Sequence, residues 1–166
     1  VRSAHQGDNQ VSLLMAECST NNTGTNNLRA VANYKGQPPA STNLEESFGK
    51  GQLVITLDPY QGQRYQGIVS LNPESLAASL EDYFANSEQL ATKIWLATAN
   101  KDKQPTAAGF LLQQLPDDAN SQDPDAWARL TSLAATLTTE ELTQLTSEQL
   151  LFRLFHEEEL RLFTPN

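Results

Sequence analysis

Apolar and polar residues alternate along much of the first two thirds of the chain, and the spacing turns helical after it. "VSLLMAE" (11–17) and "LRAVANY" (28–34) flank "CSTNNTGTNN", a polar connector containing Gly24, which predicts two strands of a long hairpin. "QLVITLD" (52–58) and "RYQGIVSL" (64–71) flank "PYQGQ", where Pro59 and Gly62 punctuate a second hairpin. Leu53, Ile55 and Leu57 alternate against Val54 and Thr56, so at least one face of that strand is buried. Gly67 interrupts the partner strand and predicts a bulge or a close backbone approach.

The period changes at "NPESLAASLEDYFANSEQ" (72–89). Leu76, Leu80, Tyr83 and Phe84 recur at helical spacing opposite Glu81 and Asp82, with Asn72 as the expected cap and Pro73 at the first helical position. Strands resume at "KIWLATA" (93–99) and "AGFLLQQL" (108–115), joined by the turn-like "NKDKQPT". Beyond "PDDANSQDPD" (116–125) the pattern is helical: Trp127, Leu130, Ala134 and Leu137 share one face, and Leu150, Leu151, Leu154 and Phe155 form a wide stripe with Phe152 to its side. Thr138 with Glu141, and Thr146 with Gln149, have capping-box spacing. A short terminal strand is expected at "LRLF" (160–163). The fold class is therefore α+β: an antiparallel sheet core with covering helices over 1–115, then a mainly helical, acidic segment over 116–166.

Charge sharpens that boundary. Residues 1–115 hold 8 basic and 10 acidic side chains, and residues 116–166 hold 3 and 10, so most of the net charge of −9 lies in the second segment. Such a balance argues against binding a nucleic-acid backbone or an anionic membrane surface, since both require clustered Lys and Arg. No run approaches the ~20 apolar residues of a spanning helix. The start "VRSAHQGDNQ" has neither an initiator Met nor a signal pattern, and reads as the beginning of an internal fragment. A single cysteine, Cys18, excludes a disulfide or a multi-cysteine zinc site within the 166 residues.

"HEEE" (156–159) is the one stretch that invites a chemical reading. Successive helical residues point about 100° apart, so His156, Glu157 and Glu158 cannot converge on one ion, and Leu160 stands where a zinc-protease motif needs its second His. A general acid–base role needs a positioned partner and a cleft that the sequence does not specify. The segment is expected to be solvated or capping. No G-x-S-x-G elbow or complete phosphate loop is present, and "FGKGQ" lacks the leading Gly and following Ser/Thr. No catalytic and no metal-binding residues are assigned.

Four runs together, "GQLVITLDPYQGQRYQGIVSL" (51–71), "LAASLEDYFANSEQL" (76–90), "AAGFLLQQLP" (107–116) and "LLFRLFHEEELRLF" (150–163), resemble the redox-regulated heat-shock holdase chaperones of thirty-three kilodaltons. "RYQG" and "EDYFANSEQ" are the most specific pieces. The resemblance implies an ATP-independent, cytoplasmic holdase acting under oxidative and heat stress, dimeric when active. It also implies an α+β core, a helical linker and a C-terminal module in which four cysteines bind zinc when reduced. This chain stops at Asn166 without those cysteines and lacks the N-terminal part of the core, so it is expected to carry no cofactor and not to sense oxidants by zinc release. Unfolding client proteins are the expected partners. A holdase needs apolar surface that can be exposed without self-aggregation. Trp127, Leu130, Leu133 and Leu137, with Phe152 and Phe155 further on, are the candidate client-binding residues, beside enough negative charge to stay in solution. Two other readings compete with a holdase. One is a constitutive interaction module docking a defined partner through its acidic helices. The other is an enzyme, which would show a polar pocket holding a titratable group of strongly perturbed pKa.

Overall fold

The computed structural model describes residues 2–6, 10–20, 26–37, 43–101, 103–116 and 123–161. The chain divides into two units, Val1–Gln89 and Leu90–Asn166. The compositional break at 116 falls inside the second of them.

The first unit is built on a five-stranded antiparallel sheet among the described residues, in the order β3-β2-β1-β4-β5. Its strands are β1 (Arg2–Gln6), β2 (Val11–Thr20), β3 (Asn26–Tyr34), β4 (Gln52–Leu57) and β5 (Tyr65–Ser70). Both expected hairpins form. β1, in the middle of the sheet, has no hydrophobic alternation in "RSAHQ"; its place comes from backbone pairing with neighbours on both sides. A short helix, α1 (Leu44–Phe48), precedes β4 and is capped by Asn43, whose side chain accepts from the Glu46 amide.

The sheet's core forms where α2 (Leu76–Tyr83) meets β4 and β5: Leu53, Ile55 and Tyr83 are buried there, with Val69, Leu71, Leu80 and Phe84 against them. Burying each such aliphatic side chain contributes roughly 1.5–3 kcal/mol. Ser75, not Asn72, caps α2, its hydroxyl accepting from the Ala78 amide at 3.0 Å. Asn72 instead anchors the turn leading into the helix: its amide donates to Ser79 Oγ at 2.9 Å and its side chain donates to Asp82 at 2.9 Å. Gly67 marks a close approach rather than a bulge. β5 stays in register with β4 through Ile55↔Gly67, and a Cβ on Gly67 would lie 2.3 Å from Tyr83 Cε2. α2 runs on into a π turn, Phe84–Glu88, after which Gln89 is left-handed at φ 57°. The Tyr83 hydroxyl bridges that turn, donating to Glu88 Oε1 at 2.6 Å. Burial, with the carboxylate of Glu88 beside it, raises the Tyr83 pKa.

The second unit pairs a two-stranded antiparallel ribbon, β6 (Thr92–Lys101) and β7 (Gln104–Gln113), with α3 (Ala126–Ala134), α4 (Thr139–Gln144) and α5 (Ser147–Phe155). The strands run on through most of the expected "NKDKQPT" turn, and Lys103 takes a positive φ of 64° at its end. Ala97, Ala134, Leu142, Leu150, Leu154 and Phe155 make the buried core, flanked by Trp95, Phe110, Leu112 and Leu130. Phe110 stacks on Phe155 at 6.2 Å and Trp95 leans on Phe110 at 5.6 Å. Both capping boxes form as the spacing predicts, Thr138–Glu141 opening α4 and Thr146–Gln149 opening α5. Of the expected terminal strand, Leu160 and Arg161 carry no strand, while Leu162 and Phe163 lie outside the described residues. No helix among the described residues is long and apolar enough to cross a membrane.

Candidate functional site

The six candidate residues all belong to the helical part of the second unit, and the fold treats them differently. Phe155 is 4% exposed and lies in the core, so only an opening of the unit would present it. Leu130 and Leu137 are half-buried against that core, and Trp127 is half-buried beside them on α3. Leu133 reaches solvent at 36% exposure and Phe152 at 69%. The helical stripe is thus split by geometry: one edge is packed and the other is open to a partner. Leu115, which periodicity does not single out, is 75% exposed at the end of β7.

Two clefts lie beside these residues. One, of ≈ 590 Å³, runs between the end of β7 and the start of α3 and is lined by Leu112, Leu115, Pro116, Asp123, Trp127 and Leu130 among others. The other, of ≈ 440 Å³, lies between β7 and the α4–α5 pair, where Ala108, Phe110, Leu142, Leu145, Leu150 and Leu151 make it mainly apolar, with Ser147 among its polar lining. Among the described residues, the only titratable side chain lining either one is Asp123, and Arg129 holds its carboxyl below the usual range by a hydrogen bond.

Charge pairs fasten the helices around the clefts. Arg129 on α3 donates from Nε and Nη2 to the two oxygens of Glu158 at 2.8 and 3.0 Å, and from Nη2 to Asp123 at 2.8 Å. The Arg129 hydrogen bond holds Glu158 below the usual carboxylate range, with Asp123 opposing as a like charge. Arg153 on α5 donates to Glu141 at 2.7 Å and to the Thr136 hydroxyl at 2.6 Å. Glu141 is held low chiefly by the Thr138 amide, then by the Thr138 hydroxyl and Arg153. These partners are 29 and 12 residues apart, beyond any local spacing rule, which is why sequence reasoning missed them.

The "HEEE" run resolves into separate duties. His156 ends α5, its Nδ1 3.1 Å from the Phe152 carbonyl and its ring 5.3 Å from that of Phe152. Glu158 pairs with Arg129, and Glu159 with Arg161 at 2.8 Å. Among the described residues no group of three or more His, Cys, Asp or Glu side chains could hold a metal ion. The donor set, with one cysteine, does not fit a zinc–thiolate centre.

A fold of sheet and helices of this kind has counterparts among known proteins. The family model described as Hsp33 protein matches residues 1–166. The chain belongs to the Hsp33 family. Among relatives carrying the name 33 kDa chaperonin, the protein of Aeromonas salmonicida is 47% identical over 161 residues, covering 96% of this chain and 53% of its own length. That of Shewanella frigidimarina is 48% identical over 160 residues, covering 96% and 52%. The chain therefore spans about half the length of these Hsp33 relatives. The crystal structure of the 33 kDa chaperonin of Thermotoga maritima superposes with a TM-score of 0.72 at 17% identity, over 97% of this chain and 56% of that one. That likeness establishes the shared α+β fold.

Proposed function

We propose that this chain is the core and linker of an ATP-independent holdase that binds unfolding proteins and keeps them from aggregating under heat and oxidative stress. Membership of the Hsp33 family over residues 1–166 carries the reading. The exposed Leu115, Leu133 and Phe152 beside a strongly acidic segment support it, because they offer apolar contact without loss of solubility. The clefts support a binding rather than an enzymatic role: among the described residues one has no titratable lining side chain, and in the other Asp123 is already ion-paired. With one cysteine present, zinc-based redox control of the kind expected from the family would have to come from residues other than these. A homodimer in the cytoplasm is the setting the family resemblance suggests for the whole protein.

The test is light scattering of a heat-unfolded client, with and without the chain, in reducing buffer containing chelator. Suppression of scattering is expected. A folded chain that leaves scattering unchanged would overturn the reading. A saturable one-to-one complex with a folded protein would favour docking of a defined partner instead.

A further inference from the structure

The cleft between β7 and the α4–α5 pair is preformed. It is lined by the buried Leu142 and Leu150 and by the half-buried Phe110, Leu145 and Leu151. Both helices that shape it start at reciprocal capping boxes, and Arg153 ties them together through Glu141, so the cleft exists with every element in place. Its surroundings are acidic. Residues 139–157 hold four carboxylates, Glu140, Glu141, Glu148 and Glu157, against one arginine, and that arginine is committed to Glu141. Glu148 adjoins the lining residue Ser147 and lies one turn before the lining residue Leu151. Among the described residues Glu148 makes no ion pair. Its carboxyl is held below the usual range chiefly by its own amide, then by the Thr146 hydroxyl, so it keeps its charge. Phe152 follows Leu151, one turn after Glu148, and is 69% exposed.

We propose that this cleft and the α5 surface beside it take a cationic–apolar segment of an unfolding client: an apolar side chain enters the cleft, and a neighbouring Lys or Arg lies over the Phe152 ring and against Glu148. This rests on the holdase reading and names the class of client segment that one surface selects, with α4 and α5 folded throughout. Charge decides the class. An apolar anchor alone fills the cleft but leaves Glu148 unmatched, and a segment with flanking carboxylates meets repulsion there. A cation gains both the carboxylate and the negative face of the ring. The acidic surplus of residues 116–166 also steers positively charged chains toward the site.

The test is fluorescence anisotropy of three labelled peptides against the full chain, each carrying the same pair of leucines flanked by lysine, glutamine or glutamate. At low salt the lysine peptide binds about three- to tenfold more tightly than the glutamine peptide, the span of an exposed charge contact joined to a cation–ring contact, and the glutamate peptide binds least. The advantage shrinks toward 1 M salt, where the screening length is about 3 Å. Glu148→Gln and Phe152→Ser each narrow it, and both lie at exposed positions where the fold tolerates change. Glu148→Lys reverses the order of the lysine and glutamate peptides. In the isotope-labelled chain, amide shifts caused by the lysine peptide fall on residues 108–110 and 145–152. Equal binding of the three peptides, a lysine advantage untouched by Glu148→Gln and Glu148→Lys, or shifts confined elsewhere would overturn the site. Light scattering separates this from the holdase reading. If the chain suppresses scattering of basic and acidic clients alike and shows no peptide preference, the holdase reading stands and the site falls. If the lysine preference follows Glu148 and Phe152 while no client is suppressed, the peptide site stands and the holdase reading falls.

Discussion

At Gly67 the backbone of β5 comes so close to the Tyr83 ring that a single methyl group would overlap it, at 2.3 Å from Cε2. Tyr83 cannot easily step aside, because it is buried and its hydroxyl is committed to Glu88 across the π turn. Gly67→Ala should therefore destabilise the first unit by about 1–3 kcal/mol, the usual range for overpacking a filled core. A lower denaturant midpoint with an unchanged slope would show it; an unchanged midpoint would mean that the ring has room to move. The interruption was visible in "RYQGIVSL", but which side chain fills the space was not. That depends on α2 returning across β4 and β5, a tertiary event that strand alternation does not encode.

Among the elements, the capping boxes of α4 and α5 show where local sequence is decisive. Thr146→Ala removes an acceptor from the Gln149 amide and should cost about 1 kcal/mol. Each hydroxyl also bonds a carboxylate, Thr146 that of Glu148 and Thr138 that of Glu141, but Glu141 receives Arg153 as well, so Thr138→Ala should cost more. Thermal denaturation of the two variants side by side checks the order, and equal losses would mean that Arg153 does not depend on the box. Both boxes were legible because their partners are three residues apart. So were the six alternating strands, whose apolar faces repeat within a few residues. β1 was not, since "RSAHQ" has only one apolar side chain and is recruited by its neighbours' backbones. The start of α2 was misplaced because Asn72, a good capping residue by type, is engaged by Ser79 and Asp82. The pairing of Arg129 with Glu158 could not be foreseen from residues 29 positions apart.

For the molecule as a whole, the useful contrast is between two phenylalanines on one helix. Phe152→Ser removes an exposed ring and should leave stability within about 0.5 kcal/mol, as surface changes usually do. Under the holdase reading it should also weaken suppression of client scattering. Phe155→Ala empties a buried site against Phe110 and should cost about 3–5 kcal/mol. Urea melts of both variants beside the scattering assay would separate holding from folding. If Phe152→Ser holds clients as well as the unaltered chain, contact at that ring is excluded. The candidate site was thus half legible: periodicity found the stripe, but only packing on the ribbon of β6 and β7 decides which of its members face outward.

One feature of the first unit bears on how the protein behaves in company. β3 ends the described sheet, and all nine of its residues are exposed, Leu28, Val31 and Tyr34 among them. A strand with an unpaired side and open faces is a template on which another extended chain can lengthen the sheet. The acidic surplus of the chain works against this by keeping copies apart. Solubility near the isoelectric point, where that repulsion vanishes, should therefore be set by a strand far in sequence from the acidic helices that protect it.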